Sequence, residues 1–229
     1  MFDSLFLVLI SIFVPIIVFT GFKIYKCKNC KKFLIALSVV FLALEVIRFF
    51  CNAAFYQDAE TPSSDLKFGF ITVLCILSLF ATFNSSKFAG RELRSVFILT
   101  SLAPIVLGLF NPNVYVNALD VNGVCKAIYM IESGVTLSIA LFYVLDKDMK
   151  IGAWNILWAS LFVLIFVGID ALTIWYWKIN TAFDLMWYMS WLTVILTVPV
   201  MFGINQIYHL CKEKRNRQKD LNDSENVTE

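Results

Sequence analysis

Apolar residues come along this chain in long unbroken runs, cut by short polar connections, and they do not alternate with polar ones. Seven runs have helical length: 4–22, 33–55, 67–83, 95–110, 126–145, 151–177 and 185–210. About 20 consecutive apolar residues cross the hydrocarbon core of a bilayer as a helix. Lipid leaves only helices and closed barrels able to satisfy their own backbone, and barrel strands would alternate polar with apolar. The pattern therefore predicts an all-α fold, a polytopic transmembrane bundle of seven helices, forming one domain over residues 1–211. Six helices is the alternative count. The third and fourth runs reach only about 25 Å at 1.5 Å per residue. They are expected to be shielded inside the bundle, or to extend into flanking polar residues.

The first run lacks a positive leader and a small-residue cleavage site, so it reads as a retained helix rather than a signal peptide. The tail 212–229, "KEKRNRQKDLNDSENVTE", has one Leu and one Val and cannot bury a core. It is expected to be a disordered cytoplasmic extension whose basic start touches anionic lipid.

Composition agrees with the pattern: 59% of the 229 residues are hydrophobic and the mean hydropathy is +0.76. Soluble domains run about 45–50% apolar. Charge adds orientation. The first, third and fifth connections and the tail carry 15 Lys and Arg, from Lys23 to Lys219, whereas the other connections carry Lys67, Lys126 and Lys178. Cytoplasmic connections collect Lys and Arg, so the N-terminus is expected outside and the C-terminus in the cytoplasm of a multi-pass cell-membrane protein. An odd number of spans follows.

Against this background "LEVIRFF", residues 44–50, stands out, because Glu45 and Arg48 fall inside a span. So do Glu132 and Asp170. Each costs about 2.5–3.5 kcal/mol at mid-membrane on insertion scales, so the four should face one another or water. Glu45 and Arg48 are three apart and share a helix face. Glu132, Asp170 and Arg48 lie in the outer half of the bundle under the derived orientation. Three acids and one base there suggest an outward-facing polar cavity. One Arg cannot neutralise three acids: either the surplus acids carry protons, as desolvation favours, or a cation or polar ligand balances them. A salt-bridge network that only fixes packing is the competing reading. Asn52, Thr72, Cys75, Ser133, Thr136 and Ser138 surround the cluster, and Ser and Thr in such helices mostly bond back to their own helix or a neighbour.

Other motifs carry less. "CKNC" at 27–30 has ligand spacing, but zinc takes four ligands; His209, the single histidine, and Cys211 could complete a set only across the fold. No metal and no cofactor is expected. The cysteines at this end could instead be acylated. Cys51 and Cys125 fall near the outer ends of their helices, where a disulfide is one reading. Trp175, Tyr176, Trp177, Trp187, Tyr188 and Trp191 read as an outer aromatic belt.

The order of these features resembles the YwaF-type bacterial integral membrane proteins, seven-helix proteins similar to a eukaryotic transmembrane phospholipid acyltransferase. The resemblance covers about residues 30 to 208. It rests on Glu45 in "LALEVIRFF", Cys75 in "FITVLCILSL", the turn "GLFNPNVY", "MIESG" at 130–134 and Asn180. The family pattern around that Cys is Leu-Pro-Leu-His-Leu-Cys. Here Phe70 to Leu74 supply neither the Pro nor the His, and the family's His in the fifth span falls on Glu132. The resemblance implies an acyl transfer with Cys75 as nucleophile and Glu132 as base. A carboxylate beside a thiol opposes the thiolate even where it could take the proton, so Cys75 is expected to be unreactive.

Three functions stay open: a non-catalytic membrane component, a small-ligand binding or transport protein using Glu45, Arg48, Glu132 and Asp170, and a lipid acyltransferase-like enzyme using Cys75. The expected partners are membrane lipids, a small polar or cationic ligand and other membrane subunits, with no nucleic acid.

The charge bias makes a direct prediction about topology. A reporter fused after Lys219 is expected in the cytoplasm and one inserted in "YQDAETPSSD" outside. Both on the same side would overturn the odd span count.

Overall fold

The computed structural model describes residues 2–24, 30–55, 70–84, 87–110, 124–145, 149, 151–176 and 185–225. Among the described residues every regular element is an α-helix: α1 (Phe2–Ile24), α2 (Cys30–Phe55), α3 (Phe70–Phe83), α4 (Lys87–Thr100), α5 (Ala103–Phe110), α6 (Val124–Val144), α7 (Ala153–Tyr176) and α8 (Leu185–Glu225). The eight helices overlap the seven predicted runs one for one, once α4 and α5 are taken as one path. That path breaks at Ser101–Leu102 because Pro104 has no N–H for the Thr100 carbonyl and its ring crowds that carbonyl. The turn tightens instead, with Ser101 N–H donating to Ile98 O at 3.3 Å.

Among the described residues two helices are long and apolar enough to cross a membrane, Cys30–Cys51 within α2 and Ala127–Val144 within α6; Leu9–Lys23, Phe70–Phe83 and Ala153–Ile165 are shorter apolar stretches. The core lies where α3, α4 and α6 meet, around Leu74, Phe97, Ile98, Leu99, Met130 and Ile139. The short fourth run is thus both enclosed and extended: Phe97 to Ser101 are buried, and the helix starts back at Lys87.

α6 packs most extensively on α1. Pro15 lies inside α1 and leaves the Ser11 carbonyl without its helical donor. That carbonyl faces Gly134: a Cβ there would sit 2.9 Å from Ser11 O and 2.6 Å from Val14 Cβ. Ser11 Oγ donates to Met130 O at 3.1 Å in the same interface. Proline on one helix and glycine on the other let the two backbones approach.

The link between α6 and α7 is pinned to α8. Asn205 accepts from Ile151 N–H and donates to Met149 O, each at 3.3 Å; Gln206 donates to Ile151 O at 2.8 Å and His209 Nε2 to Met149 O at 2.9 Å. Asn155 receives Gly152 N–H at 2.9 Å, closing the start of α7, and donates to Glu92 of α4 at 2.5 Å.

The polar segment after Leu210 continues α8, which runs on to Glu225. From Leu210 to Lys212 onward nothing in the sequence breaks a helix: no Gly or Pro occurs, and Glu213 and Arg217 stand four apart on one face. Residues 213–218 are exposed, so this extension buries no core. The belt of Trp and Tyr from 175 to 191, the turn at 111–115 and Asn180 fall outside the residues, or the side chains, that are described.

The Gly134 contact is testable. Gly134→Ala is expected to cost about 1–3 kcal/mol as an overpacked interface, read as a lower unfolding temperature in detergent. Gly21→Ala, with open space around it, is the control expected to leave that temperature unchanged or raise it.

Candidate functional site

Helical periodicity places Glu45 and Arg48 on the same side of α2, the side that meets α3 and α6. Arg48 closes on Glu45 in a forked arrangement: Nη2 lies 2.7 Å from both Glu45 oxygens and Nε donates to Oε2 at 3.1 Å. Such bidentate pairs are the strong form of the guanidinium–carboxylate contact. From α3, Thr72 donates to Glu45 Oε1 at 2.5 Å, and Arg48 Nη2 reaches Thr72 Oγ1 at 3.4 Å.

The third helix brings the second acid. Glu132 Oε2 of α6 lies 3.1 Å from Arg48 Nε, within ion-pair distance. The one N–H on Nε is directed at Glu45, however. Both oxygens of Glu132 are buried without a directed hydrogen bond from any described residue. The side chain is 0% exposed, against 12% for Glu45 and 16% for Arg48. Two carboxylates therefore share one guanidinium, and the more deeply enclosed one holds the weaker claim on it. A buried charge that is neither neutralised nor hydrogen-bonded is among the most costly arrangements in a protein. With both carboxylates ionised, the three side chains carry one negative charge more than the guanidinium balances.

The remaining polar residues sort cleanly. Ser133, Thr136 and Ser138 donate to the carbonyls of Tyr129, Glu132 and Gly134 four residues back, at 2.7 to 2.8 Å, the local bonding expected of them. Thr72 is the exception, because it crosses to another helix. Cys75 is buried at 1% exposure and lies within electrostatic reach of Glu45, Glu132 and Arg48. Its Sγ makes no hydrogen bond to a described residue.

Of the four charged residues singled out in the sequence, Glu45, Arg48 and Glu132 come together. Asp170 lies on α7, and its side chain is outside the described residues, as are those of Asn52 and Cys125; Cys27 lies outside them altogether. His209 engages the Met149 carbonyl. Among the described residues no group of three His, Cys, Asp or Glu could hold a metal ion.

The sharing of Arg48 predicts an order of damage. Arg48→Met leaves two uncompensated carboxylates and is expected to be the most destabilising, by about 3–5 kcal/mol. Glu132→Gln keeps the forked pair and removes the surplus charge, so it is expected to be the mildest single change or to stabilise. Glu45→Gln falls between them. Thermal unfolding in detergent reads the ranking, and equal effects from all three would refute the shared arrangement.

No protein-family model, curated protein or solved structure matches this chain, so its function is read from the geometry of this site.

Proposed function

We propose that this chain is a non-catalytic, seven-span membrane protein, with its N-terminus outside and its C-terminus in the cytoplasm. Its intramembrane Glu45–Arg48–Glu132 cluster binds one positive charge, a proton or a small cation, as the seat of a binding or transport function. The observation that carries the reading is the Glu132 carboxylate: fully enclosed, without a directed donor among the described residues, and beside a guanidinium already forked onto Glu45.

The membrane part of the reading is supported by the bundle's outer faces. Large apolar side chains point away from the core on α1 (Ile12, Ile17), α2 (Ile47, Phe50) and α7 (Trp154, Ile165), all between 47% and 67% exposed. Soluble monomers rarely leave contiguous apolar surface of this kind. Lys and Arg gather at one end of the bundle, and the chain's seven runs give the path an odd number of crossings. The resemblance to YwaF-type proteins is compatible with the same architecture.

Acyl transfer through Cys75 has less support. A nucleophilic thiol needs a thiolate and access to substrate. Cys75 is sealed, no imidazole stands near it, and the nearby cation, Arg48, is held by Glu45.

The test uses purified full-length protein. Infrared spectroscopy is expected to show a protonated carboxyl band that vanishes in Glu132→Gln if the charge is a proton. If it is a small cation, the unfolding temperature is expected to depend on whether sodium, potassium or choline is present at fixed ionic strength, with the dependence flattened in Glu132→Gln. The absence of both signals overturns the proposal. Cys75→Ala is expected to leave both signals intact, and the wild-type thiol to resist a lipid-permeant maleimide. Rapid saturable labelling of Cys75 would put acyl transfer first.

A further inference from the structure

The enclosure of Glu132 restricts what positive charge the intramembrane cluster can take. Neither of its oxygens is open to a water-sized sphere, and neither receives a hydrogen bond from a described residue. Beside it stands Arg48, whose Nε lies 3.1 Å from Glu132 Oε2 and 3.1 Å from Glu45 Oε2. The two acids that meet at this nitrogen also lie within hydrogen-bonding reach of each other. Two ionised carboxylates cannot use that approach, because each is only an acceptor. A single added proton turns it into a hydrogen bond.

The acceptor count on Glu45 leaves room for that bond. A carboxylate offers about four acceptor positions. The Arg48 Nε–H, the Arg48 Nη2–H and the Thr72 hydroxyl fill three of them. The fourth stays open for an O–H from Glu132, and an O–H donating to a carboxylate is among the short, strong hydrogen bonds. A metal ion fits the same place poorly. Hard cations gather about six or more oxygens. Both Glu45 oxygens are already held by Arg48, and among the described residues no group of three acids, cysteines or histidines could hold a metal ion. The guanidinium beside Glu132 repels a second cation as well. An organic cation is larger than the sphere that already fails to reach the carboxylate.

We propose that the positive charge bound at this cluster is a proton, held by Glu132 and shared with Glu45 in one carboxyl–carboxylate hydrogen bond, so that the site handles protons and not metal or organic cations. This assignment rests on the cluster binding a positive charge at all, and it narrows that charge to one ligand. Glu132 carries the proton because its oxygens are the more enclosed, while Glu45 keeps its fork to Arg48. One carboxylate, one carboxylic acid and one guanidinium then sum to zero charge. The proton is present because two acids face one base, so its presence follows a count. Removing one acid ends the need for it; removing one acid together with the base restores that need, since a lone buried carboxylate neutralises itself.

Infrared spectroscopy of the full-length protein in detergent reads that count through the carbonyl band of a protonated carboxyl. The band is expected in the wild type and is expected to be lost in Glu132→Gln. It is expected to be lost equally in Glu45→Gln, where Glu132 is left ionised opposite Arg48. In the double variant Glu45→Gln with Arg48→Gln it is expected to return, because Glu132 then has no base. A role confined to packing would not make the band come and go with the charge count. The unfolding temperature of the wild type, at fixed pH and ionic strength, is expected to be the same in sodium, potassium and choline chloride. A band that survives Glu132→Gln or Glu45→Gln, or that stays away in the double variant, overturns the shared proton. So does a wild type with no band and an unfolding temperature that depends on the cation, although the cluster then stands as a cation site. No band together with no cation dependence overturns both readings. Where a variant fails to fold, the wild-type band and the cation series still decide between a proton and a cation.

Discussion

A guanidinium divided between two carboxylates fixes three helices to one another, because each partner comes from a different place in the chain. Glu45 and Arg48 lie on α2, Thr72 on α3 and Glu132 on α6. The forked pair within α2 could form on an isolated helix; the convergence of α3 and α6 could not. Burial of ion pairs is a poor source of stability in itself, since desolvation offsets most of the attraction. What the arrangement gives is register. Rotating α6 by one residue, about 100°, would take Glu132 away from Arg48 and leave a carboxylate facing apolar neighbours. The cluster therefore selects one rotation of α6, and the packing of α6 against α1 selects the same one.

That agreement comes from small residues. Gly134 is two positions from Glu132, so it lies on a different side of α6, where the chain bearing Pro15 presses against it. A glycine where α1 touches and an acid where α2 touches orient α6 from two directions. Without the close approach at Gly134, the seal over Glu132 would loosen, water would reach the carboxylate, and the case for a bound positive charge would weaken. Packing and electrostatics are linked at this point: the helix contact creates the dry setting in which the charge imbalance matters.

How much of this was legible beforehand depends on the range of the signal. Continuous apolar runs place the helices, though not the polar starts and ends of α4 and α8, and the three-residue spacing of Glu45 and Arg48 announces their pairing, because both are local properties of a helix. The meeting of Glu132 with that pair is not local. It depends on how α6 is turned, and only the excess of acids over bases hinted at it. The sequence leaves open whether a hydroxyl bonds to its own helix, as Ser133, Thr136 and Ser138 do, or to a neighbour, as Thr72 does, and nothing around Thr72 marks the difference. The polarity of the tail speaks only against a core, and a charged, Gly- and Pro-free segment can extend a helix already nucleated upstream, as α8 does to Glu225. The hydroxyl chain through Ser38, Thr82 and Tyr143 left no trace at all, since its members are 44 and 61 residues apart.

The same two helices, α2 and α6, carry polar groups of opposite balance near their two ends. Near one end two acids share one base; at the other, Lys31 of α2 and Tyr143 of α6 lie beside Arg94 and Thr82. Between them on α6 the hydroxyls of Ser133, Thr136 and Ser138 bond to their own helix, and on α2 Ser38 turns to Thr82 of α3, so no hydrogen bond among the described residues links the two groups. Any influence of one site on the other has to be mechanical, through the relative position of α2 and α6, and coupling of that kind requires two distinct packings of the pair. α6 has little freedom to supply them, because Gly134 and the Ser11–Met130 hydrogen bond hold it to α1. α2 presents much of its length outward, yet it meets α6 near both ends, through the charge cluster at one and the Phe33–Phe142 contact at 5.3 Å at the other. A change in the charge balance around Arg48 thus acts on a helix pair held together at two places, and its effect is confined to the end that carries the cluster unless the aromatic contact also gives way.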